Sequence, residues 1–395
     1  MPRLTNRSHE RFTVKFQVNR DVLADAVSFV ARMLQSKPTS QVLSGIRLVA
    51  DANSLQISVF DHEVSAQTDI VANVESSGTA LVSGRLLNEI VSRLPNQPIS
   101  FTVDGTKAVL VCGTSKFDLA TLPIEQYPTL PPIPQVTGTM DGDAFINAIR
   151  RVSVASAKDS TRPFQKGVQV KADNTSVMFT AADPNRIARC KVSWLGKNVA
   201  GEVSAVVLTK TMQDIEKSFS GLGEVSISIA PEGERGMVAF QAKNRIVTTV
   251  VLNIENYPDI DQYFPSNLEE SVVINRQDLI DATRRVELVV NESEDTIRYA
   301  FESGGVLLES TSSENQATES VEANLTGNPT ALRFKPWLFL DGLAQINTEF
   351  VKIEFTKNQR DPQRPGPIIM SGQASKDAAT PDTYRYLLNP NMLKR

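Results

Sequence analysis

The chain has 395 residues, a hydrophobic content of 41%, a charged content of 22% and a formal net charge of −4. This length suffices for two or three domains, and the composition is typical of a soluble globular protein. No apolar run approaches the roughly 18 residues of a membrane-spanning helix, and the charged start of the chain lacks the apolar core of a secretory signal. Because there are only two cysteines, a disulfide scaffold is excluded and a cytoplasmic location is expected.

The first third of the chain predicts a mixed helix-and-strand module that follows a flexible extension over residues 1–11. In residues 18–34 a polar cap precedes apolar residues at helical spacing, and a second short helix is predicted over residues 84–94. Three strand-like runs then alternate with the turn residues Asp-Gly and Gly-Thr-Ser, which predicts a strand meander over residues 99–122.

The same order of elements is predicted twice more along the chain. The further helical patterns and meanders cover residues 140–156, 209–219 and 225–252, then residues 274–290, 335–346 and 351–389. Self-similarity at a nearly fixed spacing is the signature of tandem modules. The sequence therefore predicts three copies of one α+β module, with domains at residues 12–135, 136–265 and 266–395.

A short phrase recurs near the end of the first two modules. "LPIEQYP" and "LNIENYP" finish at Tyr127-Pro128 and Tyr257-Pro258. Because proline cannot donate a hydrogen bond to a strand ladder, we expect Pro128 and Pro258 to end the last strand of their modules. In the third module, Leu388 is expected to stand where the leucine of the phrase stands in the other two.

Motifs that would indicate catalysis are missing from the sequence. There is no Walker-type phosphate loop, HExxH, CxxC or GxSxG, and the two histidines are His9 in the extension and His62 in a predicted hairpin. "ADPNRIA" at Ala182–Ala188 offers a single carboxylate, which favours a turn over a metal site. A hydrolase that uses only carboxylates stays possible, although no pair stands out. We expect a non-catalytic protein without a cofactor or metal ion.

Taken together, the motifs resemble the bacterial sliding clamps, the β subunits of DNA polymerase III. The resemblance rests on "FTVKFQVNRDVL" at the start, "FDLATLPIEQYP" and "ENYPDIDQYFP" at the module ends, "ADPNRIA" in the second module and "YRYLLNP" at the end. It implies an α+β fold with three tandem copies of a clamp-type module, each with two helices packed on β-sheets. It also implies a head-to-tail dimeric ring of six domains, which encircles duplex DNA at the nucleoid as a processivity factor.

The distribution of charge agrees with helices that face DNA. The six predicted helices and their flanks carry a net charge of +4, so the rest of the chain carries −8. Such an asymmetry attracts phosphates to the helices without a tight grip, although ordinary solvated helices would produce a bias of this size as well. The basic residues expected to face DNA are Lys37, Arg85, Arg150, Arg151, Lys158, Lys210, Arg284 and Arg285.

Closure of the ring needs an interface between copies. The resemblance implies that the last strand of the first domain, "KFDLATL", pairs with an edge strand in the third domain of the partner. Phe117 and Leu119 share one face of that strand at period two. Leu288 and Val289, at the end of a predicted helix, are expected to lie across from them. The alternative is that all four residues belong to the cores of their own domains.

A cleft between the second and third domains is also implied by the resemblance. It binds short peptides from the replicative polymerase, the clamp loader and repair proteins. Its lining is expected to comprise Arg162, Ala182, Ile187, Pro258, Tyr263, Pro367, Leu387 and Asn389. Ile187, Pro258 and Leu387 would form an apolar floor, while Arg162 and Asn389 would hold the peptide backbone.

Three positions depart from the pattern of the family. Ala182 replaces a hydroxyl residue, Tyr263 replaces a smaller aliphatic residue, and Asn389 replaces an apolar one. These departures predict a shallower cleft that is more polar at one end. The alternative to a peptide site is ordinary packing at a domain junction.

Other classes of function stay open at this stage. One is a divergent clamp paralogue, and another is a three-domain scaffold that binds proteins and never meets DNA. Retention on nicked circular DNA after loading separates a clamp from a scaffold. An enzyme on a repeated fold would need a convergent polar cluster in a pocket, which the sequence does not indicate.

Overall fold

The structure, a computed structural model, describes residues 14–197, 199, 201–230, 236–253, 257–265, 268–291, 295–311, 315–358, 365–376 and 383–391. The extension predicted over residues 1–11 lies outside these residues. Three copies of one module are present, as the sequence predicts, and within the described residues each contains two helices and eight or nine strands. Among the helices described, none is both long enough and apolar enough to cross a membrane.

The first module runs from the first described residue to the first Tyr-Pro phrase. Its elements are β1 (Val14–Asn19), α1 (Arg20–Arg32), β2 (Gly45–Asp51), β3 (Ser54–Phe60), β4 (Val64–Val71), β5 (Asn73–Ser76), β6 (Gly78–Ser83), α2 (Gly84–Arg93), β7 (Pro98–Asp104), β8 (Lys107–Cys112) and β9 (Ser115–Ala120). Short 3₁₀ turns at Gln41–Ser44 and Ile124–Gln126 complete it.

The second and third modules repeat this order. The second has β10 (Gly138–Met140), α3 (Gly142–Ser153), β11 (Gly167–Ala172), β12 (Ser176–Ala182), β13 (Arg186–Ser193), β14 (Leu195–Gly196), β15 (Val203–Leu208), α4 (Thr209–Phe219), β16 (Val225–Ala230), β17 (Met237–Ala242) and β18 (Arg245–Val250). The third has β19 (Ser271–Asn275), α5 (Arg276–Glu287), β20 (Ile297–Glu302), β21 (Gly304–Thr311), β22 (Gln316–Thr326), β23 (Thr330–Phe334), α6 (Pro336–Ala344), β24 (Phe350–Lys357), β25 (Pro365–Gln373) and β26 (Tyr384–Leu388).

The first helix of each module follows the apolar spacing of the sequence. In α1, Leu23, Val27 and Val30 are buried at intervals of four and three residues, so one stripe of the helix packs inward. Asn275 caps α5, because its side-chain oxygen accepts two backbone N–H bonds from the first turn. The six predicted helices are confirmed, and α1 ends at Arg32, two residues earlier than expected.

The chain divides into two compact units. The first comprises the described residues up to Asp143 together with Asp214–Val251, and the second comprises Ala144–Gln213 together with the described residues from Leu252 onward. Sheets of the first unit run in the orders β5-β1-β7-β8-β9 and β10-β16-β17-β18-β4-β3-β2-β6. One sheet of the second unit runs in the order β15-β11-β12-β13-β26-β25-β24-β19-β22-β21-β20-β23.

The recurring phrase does not end the last strand as expected. β9 stops at Ala120 and β18 at Val250, eight residues before Pro128 and Pro258, so this prediction is wrong. The physical reason is that the leucine of the phrase leaves its sheet. The N–H of Leu122 bonds the carbonyl of β6 residue Leu81, and the N–H of Leu252 bonds the carbonyl of β15 residue Val206, both at 2.8 Å.

The tyrosine of the phrase folds back onto its own module. Tyr127 packs with Val42 and Leu43 of the 3₁₀ turn, and its hydroxyl accepts a 2.7 Å bond from the N–H of Phe60. Burial raises the pKa of Tyr127 to about 12. The phrase is therefore an aromatic anchor that fixes the connection between modules.

Strand pairs with a repeated register join neighbouring modules. In the first unit β18 pairs with β4 and places Arg245 opposite Thr68. In the second unit β26 pairs with β13 and places Tyr384 opposite Cys190. The two joints are referred to below as the first and second junctions.

Thr68 and Cys190 are equivalent positions of the repeat. Ser65 in β4 and Ile187 in β13 each pair with the residue five positions earlier, so both hairpins have the same length. Thr68 and Cys190 follow these residues by three positions. It follows that Tyr384 stands where Arg245 stands in the preceding module.

This register corrects one alignment made from the sequence. With Tyr384 equivalent to Arg245, Leu388 is equivalent to Thr249 and not to Leu252. The prediction that Leu388 takes the place of the leucine in the phrase is thus wrong by three residues. The sequence match misled because Leu388 and the leucines of the phrase, Leu122 and Leu252, are the same residue type at positions only three apart in the repeat.

Candidate functional site

An apolar cluster lies at the second junction. Ala182, Ile187 and Leu387 come from the adjoining strands β12, β13 and β26, and Ile369 comes from β25 beside them. Ile187 and Leu387 are direct partners across the junction. Side chains from two modules thus meet in one apolar surface.

The segment that links the second and third modules covers one side of this cluster. Ile260 and Phe264 of the link belong to the cluster and are 8% and 6% exposed. The guanidinium of Arg189 lies 3.8 Å from the centre of the Phe264 ring and bonds Asp261 at 3.2 Å. Burial, together with the positive charge of Arg385, lowers the pKa of Arg189 to about 10. The link is therefore pinned to the sheet by a cation.

The "ADPNRIA" segment forms a turn, as predicted. A carboxylate oxygen of Asp183 accepts bonds from the N–H groups of Asn185 and Arg186, at 2.7 and 3.0 Å. The Arg186 guanidinium is 6% exposed and bonds Asp341 at 2.6 Å, and it lies 5.1 Å from the ring centre of Trp337. This charged network lies directly beside Ile187, a member of the apolar cluster.

The eight residues predicted for the cleft fall into two groups. Ala182, Ile187 and Leu387 are brought together in the apolar cluster. The others are partly or fully exposed, Pro258 and Tyr263 on the link itself and three elsewhere: Arg162, Pro367 and Asn389. The amide of Asn389 lies 3.4 Å from the carbonyl of Pro184, at the turn.

Sequence reasoning missed five apolar members of this surface. Ile260, Phe264 and Ile369 belong to the cluster, and Tyr257 and Leu268 pack against it. Tyr257 belongs to the recurring phrase, which the sequence analysis interprets only as the mark of a domain end. Phe164, in the 3₁₀ turn Pro163–Lys166, holds the Tyr257 ring with its centre at 5.8 Å.

The hydroxyl of Tyr257 is buried without a hydrogen-bond partner among the described residues. Burial also raises the pKa of Tyr257, so the group stays protonated. Its counterpart Tyr127 has a backbone partner. Since buried hydroxyls are normally paired, the Tyr257 hydroxyl is an exception among the buried polar groups described.

Most of the basic residues predicted to face DNA are exposed. They are Lys37, Arg85, Arg150, Lys158, Lys210, Arg284 and Arg285. Arg85 of α2 donates to the carbonyls of Gln35 and Ser36, which holds the loop that carries Lys37. Arg285 is ion-paired with Glu319 of β22 through two of its nitrogens.

Arg151 contradicts its prediction. It is only 9% exposed, its Nε donates to the carbonyl of Gln345 at 2.7 Å, and its guanidinium lies 4.4 Å from the ring centre of Tyr384. The side chain is used inside the protein, so Arg151 does not face DNA. In the consecutive pair Arg150-Arg151, helical geometry turns only Arg150 outward.

Two of the open strand edges in the described residues bear on the predicted interface. β9 is the last strand of its sheet, and residues 316–322 of β22 pair with β21 on one side only. Phe117 of β9 and Leu288, just after α5, are exposed by 37% and 84%. Leu119 is buried in its own module, so the interface prediction fails for it and the core alternative holds, while Val289 is half-buried.

No group of three or more acidic, histidine or cysteine side chains placed to hold a metal ion occurs within the described ranges. The apolar cluster is thus bordered by charged groups, among them the paired carboxylates of Asp183 and Asp261.

Comparison with known proteins agrees with this architecture. Models of the N-terminal, central and C-terminal domains of the DNA polymerase III beta subunit match residues 14–131, 139–259 and 261–371. A beta sliding clamp from Streptomyces coelicolor is 37% identical over 379 residues, covering 95% of this chain and 99% of the relative. The beta sliding clamp homolog GriR from Streptomyces muensis is 32% identical over 378 residues, with coverage of 95% and 99%. The crystal structure of the DNA polymerase sliding clamp from Bacillus subtilis is 23% identical, with a TM-score of 0.85 and coverage of 96% and 100%.

Proposed function

This chain belongs to the family of bacterial DNA polymerase III β subunits and functions as a DNA sliding clamp, and we propose that it does so as a head-to-tail dimer of six modules around duplex DNA. In this role the protein is a non-catalytic tether that keeps partner proteins on DNA. The observation that carries the proposal is the repeated junction. Two of its copies lie inside one chain, and the edges for a third are left open.

The register of the third junction follows from the other two. β22 begins with Gln316, which pairs with the residue five positions earlier, as Ser65 and Ile187 do in their hairpins. Ser115 opens β9 after a hairpin equivalent to the one before Arg245. We therefore expect Ser115 to lie opposite Glu319 of the partner subunit. Phe117 then lies opposite Ala317 of the partner subunit.

Exposed apolar residues at both edges support a contact between copies. Replacing Phe117 and Leu288 by alanine is expected to give a folded monomer, because the contact loses its two largest exposed apolar side chains. Val71→Ala is a matched control, since Val71 is 83% exposed and lies on neither edge. Light scattering at submicromolar concentration measures the mass. A Phe117→Ala, Leu288→Ala double variant that kept the dimer mass would remove this interface.

Duplex DNA is expected to lie against the helices. Phosphate contacts that do not read sequence come from exposed lysines and arginines on them, and the attraction falls as salt rises. Arg150 and Arg284 occupy the same position in α3 and α5, one residue before Arg151 and Arg285. After loading onto nicked circular DNA, the protein is expected to be retained and to be released when the circle is cut. Equal retention on linear DNA would favour a scaffold that binds without encircling.

The apolar cleft at the second junction is proposed to hold the partner peptides. Ile187 and Leu387 offer anchoring pockets, the Tyr257 hydroxyl offers a bond to the peptide backbone, and the Arg186 network closes the polar end. A short apolar peptide that buries two or three side chains is expected to bind with micromolar affinity, about −8 kcal/mol. This affinity permits exchange of polymerase, loader and repair proteins on one ring.

Titration of a labelled peptide of the Gln-Leu-x-Leu-Phe type tests this site. Ile187→Asp is expected to weaken binding at least tenfold, because it places a charge in the apolar floor. Leu195→Asp is the control, since Leu195 is an apolar residue of the second module that is 72% exposed. Undiminished affinity in Ile187→Asp would place the partner site elsewhere.

A further inference from the structure

A cation fastens the first junction. Arg245, the first residue of β18, donates from Nη1 to the carbonyl of Ser218 at 2.5 Å, near the end of α4. Its guanidinium lies 5.1 Å from the ring centre of Phe29 on α1 and forms a 2.5 Å ion pair with Asp25. One side chain thus ties a strand and the ends of two helices together.

The second junction has the same fastening with its parts exchanged. Arg151 of α3 donates to the carbonyl of Gln345, just after α6, and stacks on Tyr384, the first residue of β26. Here the cation comes from the helix and the ring from the strand. In the first junction the cation comes from the strand and the ring from the helix.

The cation and the ring of the two junctions occupy equivalent positions of the repeat, with their roles exchanged. Phe29 and Arg151 each stand ten positions after the residue that precedes their helix, Asn19 and Asp141. Ser218 and Gln345 likewise stand ten positions after the residues that precede α4 and α6. Arg245 and Tyr384 are equivalent by strand register. Carbonyls at a helix C-terminus attract a cation, which explains why both versions keep that bond.

The same positions in the third junction contain a third arginine. Counting ten residues from Asn275, which precedes α5, gives Arg285, and the strand position is Ser115. Counting ten residues from Ser83, which precedes α2, gives Arg93. Arg285 also repeats its sequence context, because Arg-Arg-Val occurs at 150–152 and at 284–286.

The contacts of Arg285 leave it ready for this role. Its Nε and one terminal nitrogen hold Glu319, yet the side chain is 60% exposed, so the other terminal nitrogen keeps its donors toward solvent. In the register given above, Glu319 lies opposite Ser115 of the partner subunit. Among the backbone hydrogen bonds outside helices and strands in the described part of the chain, none is donated to the carbonyl of Arg93 at the end of α2.

We propose that Arg285 is the fastening residue between subunits, and that it donates to the carbonyl of Arg93 of the partner subunit when the ring closes. This inference rests on the proposed head-to-tail dimer. Ser115 provides no aromatic ring, so Glu319 orients the guanidinium by a paired contact in place of stacking. Arg285 thus belongs to the subunit interface and not to the DNA-facing set in which the sequence analysis placed it.

Sedimentation of the full chain over a dilution series measures the dimer dissociation constant. Arg285→Ala is expected to raise it at least tenfold. Arg284→Ala, the matched control, is expected to change it less than twofold, because Arg284 is exposed on a different side of α5. Melting temperatures of both variants check that the protomers are folded.

A gain-of-affinity variant separates direct bonding from a general effect of charge. Ser115→Tyr restores the ring that Tyr384 provides for Arg151. It is expected to tighten the dimer about fivefold to tenfold with Arg285 present and to have no such effect in the Arg285→Ala background. An unchanged dissociation constant in Arg285→Ala, or an equal effect of Ser115→Tyr in both backgrounds, would overturn the proposed role of Arg285. The proposed dimeric ring would be unaffected by either result. A chain that stayed monomeric at all concentrations would overturn the ring as well.

Discussion

Replacement of Arg151 by alanine tests the reassignment of this residue from DNA contact to internal fastening. The guanidinium is almost fully buried, bonds the carbonyl of Gln345 at 2.7 Å and stacks on Tyr384 at 4.4 Å. Its removal leaves a helix-terminal carbonyl without its charged donor and a space beside the ring. Arg150, its exposed neighbour, has the same charge and serves as the control.

The magnitude follows from these two contacts. A hydrogen bond from a charged donor contributes about 1.5–3 kcal/mol. A partly desolvated cation–ring contact contributes about 1–2 kcal/mol. The contacts share one group and are not additive, so we expect Arg151→Ala to destabilise the second unit by about 3 kcal/mol. In a unit of this size each kcal/mol lowers the melting temperature by about 2–4 °C, which predicts a decrease of about 6–12 °C.

Differential scanning calorimetry measures the melting, and salt-dependent binding of a short duplex measures the contact with DNA. Arg151→Ala is expected to melt early and to keep the salt dependence of the unmodified protein. Arg150→Ala is expected to change the free energy of unfolding by less than about 0.5 kcal/mol. Its duplex binding is expected to depend less steeply on salt than that of the unmodified protein. Equal melting temperatures of Arg151→Ala and Arg150→Ala would refute the internal role of Arg151. An equal loss of duplex affinity in the two variants would refute it as well.

Three further predictions concern the tyrosines and the DNA-facing helices. Tyr257→Phe is expected to stabilise the protein by about 1 kcal/mol, because it removes a buried hydroxyl without a partner among the described residues. Tyr127→Phe is expected to destabilise the protein, because the N–H of Phe60 loses its acceptor. Urea unfolding in which both variants changed the free energy of unfolding in the same direction would contradict this. Burial raises the pKa of Tyr127 from 10.0 to about 12, so its contribution to stability is complete below pH 10 and is lost as the pH rises through 12. In Tyr127→Phe, the free energy of unfolding of the first unit is expected to decline less with pH over that interval. An equal decline in the variant and the unmodified protein would argue against this. Charge reversal of Arg150 and Arg284 to glutamate is expected to weaken duplex binding at low salt at least tenfold, and binding as strong as before would remove these residues from the DNA surface.

The repeat, the helices and most strands were predictable from the sequence, because local patterns determine them. The apolar spacing predicts an inward face for the first helix of each module, and Leu23, Phe145 and Leu279 on these helices are fully or almost fully buried. Strand ends were less predictable. The sequence predicts that Pro128 ends a strand, whereas the chain already turns at Leu122 to bond the neighbouring sheet. A backbone bond between distant strands leaves no mark in a local sequence window.

The candidate sites were predictable in kind and only partly in membership. Ile187 and Leu387 were found because the motifs around them resemble the family, whereas Ile260 and Phe264 sit on a link whose folding depends on the pinning cation Arg189. The two Arg-Arg pairs show the limit of charge counting. Arg150 and Arg151 look alike in sequence, and only the rotation of the helix decides that one is exposed and the other buried.

The side chains at a single paired position differ between the two observed junctions and the proposed third one. At the second junction this pair is Ile187 and Leu387, two buried apolar residues of the proposed peptide site. The equivalent pair of the first junction is Ser65 and Thr248, both buried and polar, so no comparable apolar floor can form there. At the proposed third junction, between subunits, the same register would pair Asp118 with the partner's Gln316. Polar groups at such a pair need matching when they meet, which favours a contact that forms and opens between subunits over a permanent core. We therefore propose that the repeated register positions the junctions, while the residues at this pair suit one to peptide binding, one to rigid connection and one to closure between subunits.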